Sequence, residues 1–153
     1  MTFPIYVRAS ALIIQDGAVL LIGCDDQEVG FHYSLPAGGV ETGEPVRQAV
    51  KREAWEEAAA NVEVGPLALV YEYVPDLDAA IDPTQSLELM FACKLVEGSP
   101  PPRMPDEAAP DQIEVRWVKL AELPSIRLLP PYAAEIIHYF EMQPAGPLFI
   151  AAD

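Results

Sequence analysis

Cysteine is nearly missing from this chain of 153 residues: Cys24 and Cys93 are its two thiols. A pair so far apart builds neither a disulfide framework nor a cysteine metal site, and both are expected to be reduced packing residues of a cytoplasmic protein. Basic side chains are scarce too, nine against twenty-four acidic ones, for a net charge of −15. That field repels nucleic acid and anionic lipid, so neither is an expected partner. No apolar run reaches the ~18 residues that a membrane span needs. The N-terminal stretch lacks a basic leader and is interrupted by Arg8, which reads as a strand and not as a targeting signal. Disorder is excluded as well, because apolar residues make up 51% of the chain and charged ones 22%, enough for a real core. The length suits one domain over residues 1–153.

Strand-like runs rich in β-branched residues cover Val7–Ile14 and Ala18–Cys24, with Gln15-Asp16-Gly17 between them as a hairpin signal. Similar runs follow at Leu67–Val74, Leu87–Val96 and Ile113–Leu120; Leu87 to Cys93 is nearly all apolar, as in a strand covered on both faces. From Pro45 to about Ala60 the composition turns to Ala, Glu, Arg, Lys and Gln, which predicts a helix with Pro45 at its first turn. A second helix fits Pro131–Met142. The acidic segment Pro75–Ser86 and the proline-rich Glu97–Gln112 read as long loops. Mixed strands with two helices and no internal repeat make an α+β protein, an α/β/α sandwich.

The informative segment is Gly38-Gly39-Val40-Glu41-Thr42-Gly43-Glu44 followed by Arg52-Glu53-Ala54-Trp55-Glu56-Glu57. On a helix, Glu56 lies about −60° and Glu57 about +40° from Glu53 around the axis, so three carboxylates share one face. Such a cluster repels itself unless compensated, and Lys51 and Arg52 compensate only in part. One reading is a solvated acidic face. The other is a site for a hard divalent cation, Mg²⁺ or Mn²⁺, since the ligands are all oxygen and zinc favours His or Cys. The glycines upstream let a loop come close to these carboxylates and offer a carbonyl oxygen.

This segment resembles the signature of the Nudix hydrolases, Gly-x5-Glu-x7-Arg-Glu-U-x-Glu-Glu-x-Gly-U with U a bulky apolar residue. Gly38, Glu44, Arg52, Glu53, Glu56 and Glu57 stand in that register, across a box from Gly38 to Ala60. With each residue type near ~7% abundance, six matches arise by chance with a probability on the order of 10⁻⁵. Ala54, Ala59 and Ala60 depart from the pattern. Ala59 replaces the late glycine and takes a left-handed cap only at a cost, so the helix is expected to run on towards Asn61.

The resemblance implies a Nudix-type α/β/α sandwich, with a mixed sheet between helices, that hydrolyses a nucleoside diphosphate linked to another moiety. Glu53, Glu56, Glu57 and the Ala37 carbonyl would hold Mg²⁺ (or Mn²⁺). Arg52 and Glu44 would form a buried pair that orients the carboxylates behind Gly38. Glu53 is the first choice of general base, with Glu114 ahead of Asp111 and Glu107 as rivals. Pro75 stands fifteen residues beyond the box, where ADP-ribose pyrophosphatases of the family carry a proline, and no tyrosine occupies 76–78, where diadenosine polyphosphate hydrolases tend to have one. ADP-ribose or a related nucleoside diphosphate sugar is therefore the first substrate choice. A nucleoside triphosphate, or a non-catalytic nucleotide-sensing module, is the alternative. Tyr33, Phe31 and Tyr73 are candidates to stack on a base, and His32 to contact phosphate. The expected partners are a small nucleotide and, at most, a second copy of the chain.

Overall fold

The computed structural model describes residues 4–76 and 83–152. Strands β1 (Tyr6–Gln15) and β2 (Ala18–Asp26) form the expected hairpin, and Asp16 and Gly17 both take positive φ, 52° and 74°, as a tight two-residue turn requires. The chain continues through β3 (Gly30–Ser34), β4 (Ala37–Gly39), α1 (Val46–Ala58), β5 (Val62–Tyr73) and β6 (Ser86–Leu95). After β7 (Gln112–Lys119) come a 3₁₀ turn (Leu120–Ser125), α2 (Ala133–Met142) and β8 (Leu148–Ile150).

Among the described residues the strands form one sheet of eight, in the order β3-β2-β1-β6-β5-β8, with β4 paired to β1 and β7 to β2. β1 runs parallel to β6 and β5 to β8; the other pairs are antiparallel. Alternate residues of β1 and β2 feed opposite cores. Ala9, Ala11, Ile13, Leu20 and Ile22 pack with Ala49, Val50, Ala54 and Ala58 of α1. Leu12, Val19 and Leu21 pack with Tyr132 and Ile136 at the start of α2. The sheet thus lies between two helices, the α/β/α sandwich expected.

Several boundaries differ from the sequence reading. β5 starts at Val62, not Leu67, because its ladder to β6 is irregular between Val64 and Leu69, and this bulged stretch accommodates Pro66. α1 ends at Ala58 and not near Asn61: Ala59 adopts the left-handed conformation, φ 49° and ψ 32°. Its cost is offset by contacts that occupy the helix end. The Ala59 and Ala60 amides donate to Trp55 and Ala54 carbonyls at 3.0 and 3.1 Å, and Arg103 N donates to Ala58 O at 2.8 Å. Gln112 Nε2 also donates to Glu57 O at 2.6 Å. α2 begins at Ala133, two residues later than Pro131. Residues 97–111 hold neither helix nor strand, as their prolines predict, while residues 77–82 of the other long loop lie outside the described residues. Cys93 is buried and Cys24 half-buried, both unpaired thiols. No described helix is long and apolar enough to cross a membrane.

Candidate active site

The site is built on the outer edge of β4. In its antiparallel pairing with β1, Ala9 faces Gly38, Ser10 faces Ala37 and Arg8 faces Gly39. The flanking bonds, Ala11 N to Pro36 O and Val40 N to Val7 O, both 2.9 Å, fix which pairs exchange hydrogen bonds. Ala37 and Gly39 fall on the alternate pairs, so their backbone groups point away from β1, towards α1. Ala37 N–H donates to Glu57 Oε1 at 2.7 Å, and Gly39 O accepts from the Arg52 guanidinium at 2.9 Å. The Ala37 carbonyl lies on the same edge. Gly38 sits so close to Glu53 that an added Cβ would fall among the carboxylate atoms.

Arg52 organises the acidic face. Its Nε and a terminal nitrogen grip both oxygens of Glu44 at 2.8 and 3.0 Å, a two-point fork, and its other terminal nitrogen reaches Glu53 at 2.7 Å and Glu56 at 3.2 Å. The pair with Glu44 is partly and not fully buried, with side-chain exposures of 23% and 16%. The guanidinium holds the Glu44 carboxyl below the usual range. Glu53 is buried, Glu57 half-buried and Glu56 exposed. Burial pushes the Glu57 carboxyl up to about 7, against the pull of the Ala37 amide, and Glu53 and Glu56 add to the rise. Burial raises Glu53 as well, with Arg52 opposing.

Beside this edge, on the α2 side of the sheet, a cavity of about 700 Å³ is lined by Tyr6, Arg8, Gly39, Tyr71, Tyr73, Glu88 and the Leu129-Pro130-Pro131 segment, among others. Gly39 belongs to both places: it borders the cavity and receives Arg52.

The model of the NUDIX domain matches residues 5–140. The chain belongs to the Nudix family. Comparison with curated proteins gave no match. Among solved structures, the Nudix fold is shared with a NUDIX hydrolase from Nitrosomonas europaea (21% identity, TM-score 0.77, covering 94% of this chain and 93% of that one). A MutT NUDIX hydrolase from Burkholderia pseudomallei is 25% identical, with TM-score 0.71, over 87% of this chain and 97% of that one. An ADP-ribose pyrophosphatase from Streptococcus suis is 19% identical, with TM-score 0.67, over 94% and 98%. The protein is thus a Nudix pyrophosphohydrolase.

Members of the Nudix family generally use divalent metals, and the donor set here fits one. Three carboxylates and an outward carbonyl offer oxygen alone, and burial raises the Glu53 and Glu57 carboxyls, a cost that a bound cation would offset. No three described His, Cys, Asp or Glu residues already surround a common point, since Glu53 and Glu56 lean on Arg52 and Glu57 on the Ala37 amide. A cation held by these carboxylates would require their side chains to rotate.

Other residues singled out from sequence lie elsewhere. Glu114 is not brought into the carboxylate cluster: it sits opposite Gly23, and its Oε1 accepts a short hydrogen bond from the Tyr33 hydroxyl. Arg116 donates to the same hydroxyl at 3.1 Å, and Phe31 stacks edge-on against the Tyr33 ring at 5.1 Å. Tyr33 is buried and Phe31 is exposed. Pro75 is buried just beyond β5. His32 Nδ1 lies 2.9 Å from Gly30 O, a local turn contact. The cavity residues Arg8, Tyr71 and Glu88 were missed; the signal available was Glu88, the one acid in the apolar run from Leu87 to Cys93.

Proposed function

We propose that Glu53, Glu56, Glu57 and the Ala37 carbonyl hold Mg²⁺ or Mn²⁺, and that the enzyme hydrolyses the diphosphate bond of a nucleoside diphosphate linked to another moiety. ADP-ribose or a related nucleoside diphosphate sugar is the preferred substrate. The observation that carries this reading is the outer edge of β4, where Ala37 and Gly39 turn their backbone groups to the acidic face of α1. When bound, divalent cations neutralise diphosphate oxygens and acidify water, which lets a chain of net charge −15 accept a polyanion. Glu53 serves as general base. Arg52 engages one of its oxygens at 2.7 Å and leaves the other for a water proton. Arg52 and Glu44 keep the carboxylates in place, and Glu56, the most exposed of the three, would be the ligand nearest solvent. The cavity beyond Gly39 receives the nucleoside end, with Tyr6 and Tyr73, both exposed, available for stacking. With few thiols and a strong acidic charge, the chain is suited to the reducing cytoplasm.

The test is a screen for nucleoside monophosphate formation from ADP-ribose, nucleoside diphosphate sugars and nucleoside triphosphates. Activity should vanish in chelator and return with Mg²⁺ or Mn²⁺, and Glu57→Gln should lower kcat at least ~10²-fold while the fold is kept. Metal-independent turnover, or a mutant of near-normal rate, would refute the assignment. Faster turnover of triphosphates than of any diphosphate sugar would overturn the substrate choice alone.

A further inference from the structure

The floor of the cavity follows from strand register. β1 pairs with β6 so that Arg8 faces Glu88 and Tyr6 faces Ser86. On the other side of β6, Tyr71 faces Glu88 and Tyr73 faces Ser86. Opposite residues share a face, so the floor is two adjoining rows: Arg8, Glu88, Tyr71 and Tyr6, Ser86, Tyr73. The first row continues through Arg8 to Gly39, at the border of the carboxylate site. A buried carboxylate therefore stands in the centre of an aromatic floor beside the place where the diphosphate would lie.

Glu88 is 2% exposed and, among the described residues, keeps spare acceptor capacity. Ser10 Oγ donates to its Oε2 at 3.3 Å, and the Tyr132 hydroxyl donates as well. Arg8 Nε lies 3.8 Å from Oε1, near enough to favour the charge but too far for a direct hydrogen bond. A carboxylate has about four lone-pair sites, and these partners fill about half of them. Packing does not require such a group here: an apolar residue would complete β6 at lower cost, since buried acids are costly even when paired.

Resting on the proposed function, we infer that Glu88, supported by Arg8, is the specificity-determining residue of the cavity: it accepts a hydrogen bond from an exocyclic amino group on the nucleobase stacked over the tyrosines. Burial pushes the Glu88 carboxyl above the usual range, while Tyr132, Arg8 and Ser10 pull it down. In either protonation state one oxygen accepts. A base that lacks the amino group leaves that oxygen desolvated and unpaired, which is the stronger half of the discrimination.

Matched substrates that differ by one amino group test this: guanine against hypoxanthine and adenine against purine, each on the same diphosphate sugar. The wild-type enzyme with Mg²⁺ should favour the amino-bearing partner of at least one pair ~10-fold or more in kcat/KM, expressed chiefly in KM. Glu88→Leu, which removes both acceptor oxygens, should abolish most of that preference by raising KM for the amino-bearing partner. Arg8→Met, at an exposed position, should weaken the same preference and covers the case in which Glu88→Leu does not fold. Equal turnover within both pairs by the wild type, or an unchanged preference in the variants, overturns the role of Glu88 and leaves the proposed function standing. Failure to hydrolyse any of these substrates, or any other diphosphate sugar or triphosphate of the screen above, refutes the proposed function itself.

Discussion

Gly38 lies against the Glu53 carboxylate so closely that a side chain as small as a methyl group would displace it. The glycine is needed for space and not for an unusual φ. Its neighbour Gly39 is a built-in control, since nothing lies within 4 Å of a Cβ placed there. Gly38→Ala should therefore lower kcat by ~10²-fold or more and weaken metal binding, because it moves the proposed base and ligand. Gly39→Ala should leave metal affinity within about threefold of wild type, any loss in turnover falling on KM because the added methyl group borders the cavity. Metal titrations and steady-state kinetics on the two variants check the contrast, and equal effects would show that Glu53 tolerates displacement.

Arg52 makes a two-point fork on Glu44 and a further contact with Glu53. Lysine keeps the charge but cannot form the fork. Arg52→Lys is expected to cost about 1–3 kcal/mol of stability and at least ~10-fold in kcat, the second loss reflecting freed carboxylates. Denaturant melts and kinetics measure both. A variant with full activity would mean that Glu53 and Glu56 hold their places without Arg52.

Glu57 sets a pH dependence of stability in the metal-free protein. Burial raises its carboxyl from 4.5 to about 7, so the folded state binds this proton more tightly than the unfolded state does. The contribution is fully present below pH 4.5 and is lost as pH climbs through about 7, by up to about 3 kcal/mol. In chelator, Tm should fall across this window. Glu57→Gln should flatten most of the slope, and saturating Mg²⁺ should restore stability at pH 8 because the cation favours the ionised form. A Tm unchanged across the window in both proteins would show that Glu57 is well solvated.

How much of this was legible in the sequence depends on whether a feature is local. The Asp16-Gly17 turn and the helix after Pro45 follow from short-range preferences, and the register of Glu44, Arg52, Glu53, Glu56 and Glu57 follows from spacing. The part played by Ala37 and Gly39 was not open to derivation from the residues alone, because it depends on which β4 pairs exchange hydrogen bonds with β1. Glu114 shows the same limit in reverse. Its position in the chain suited a base, but its strand faces it to Gly23 and Tyr33. The cavity needed β1 to lie beside the distant β5–β6 pair, which aligns Arg8, Glu88 and Tyr71. An apolar run with a lone acid was the one trace it left.

Ala59 is where the local rule and the folded structure disagree, and the disagreement stores energy. A non-glycine residue at φ 49° and ψ 32° costs about 1–2 kcal/mol, tolerated here because the loop from Arg103 to Gln112 occupies the end of α1. Glycine at this position removes the strain but loosens the unfolded chain by roughly 0.5–1 kcal/mol. Ala59→Gly should thus stabilise the protein by about 0.5–1 kcal/mol, raising Tm by a few degrees, with kcat unchanged because the carboxylates lie upstream. Thermal melts of the variant beside wild type decide it. A loss of stability would mean that the buried methyl group of Ala59 contributes more through packing than its backbone conformation costs.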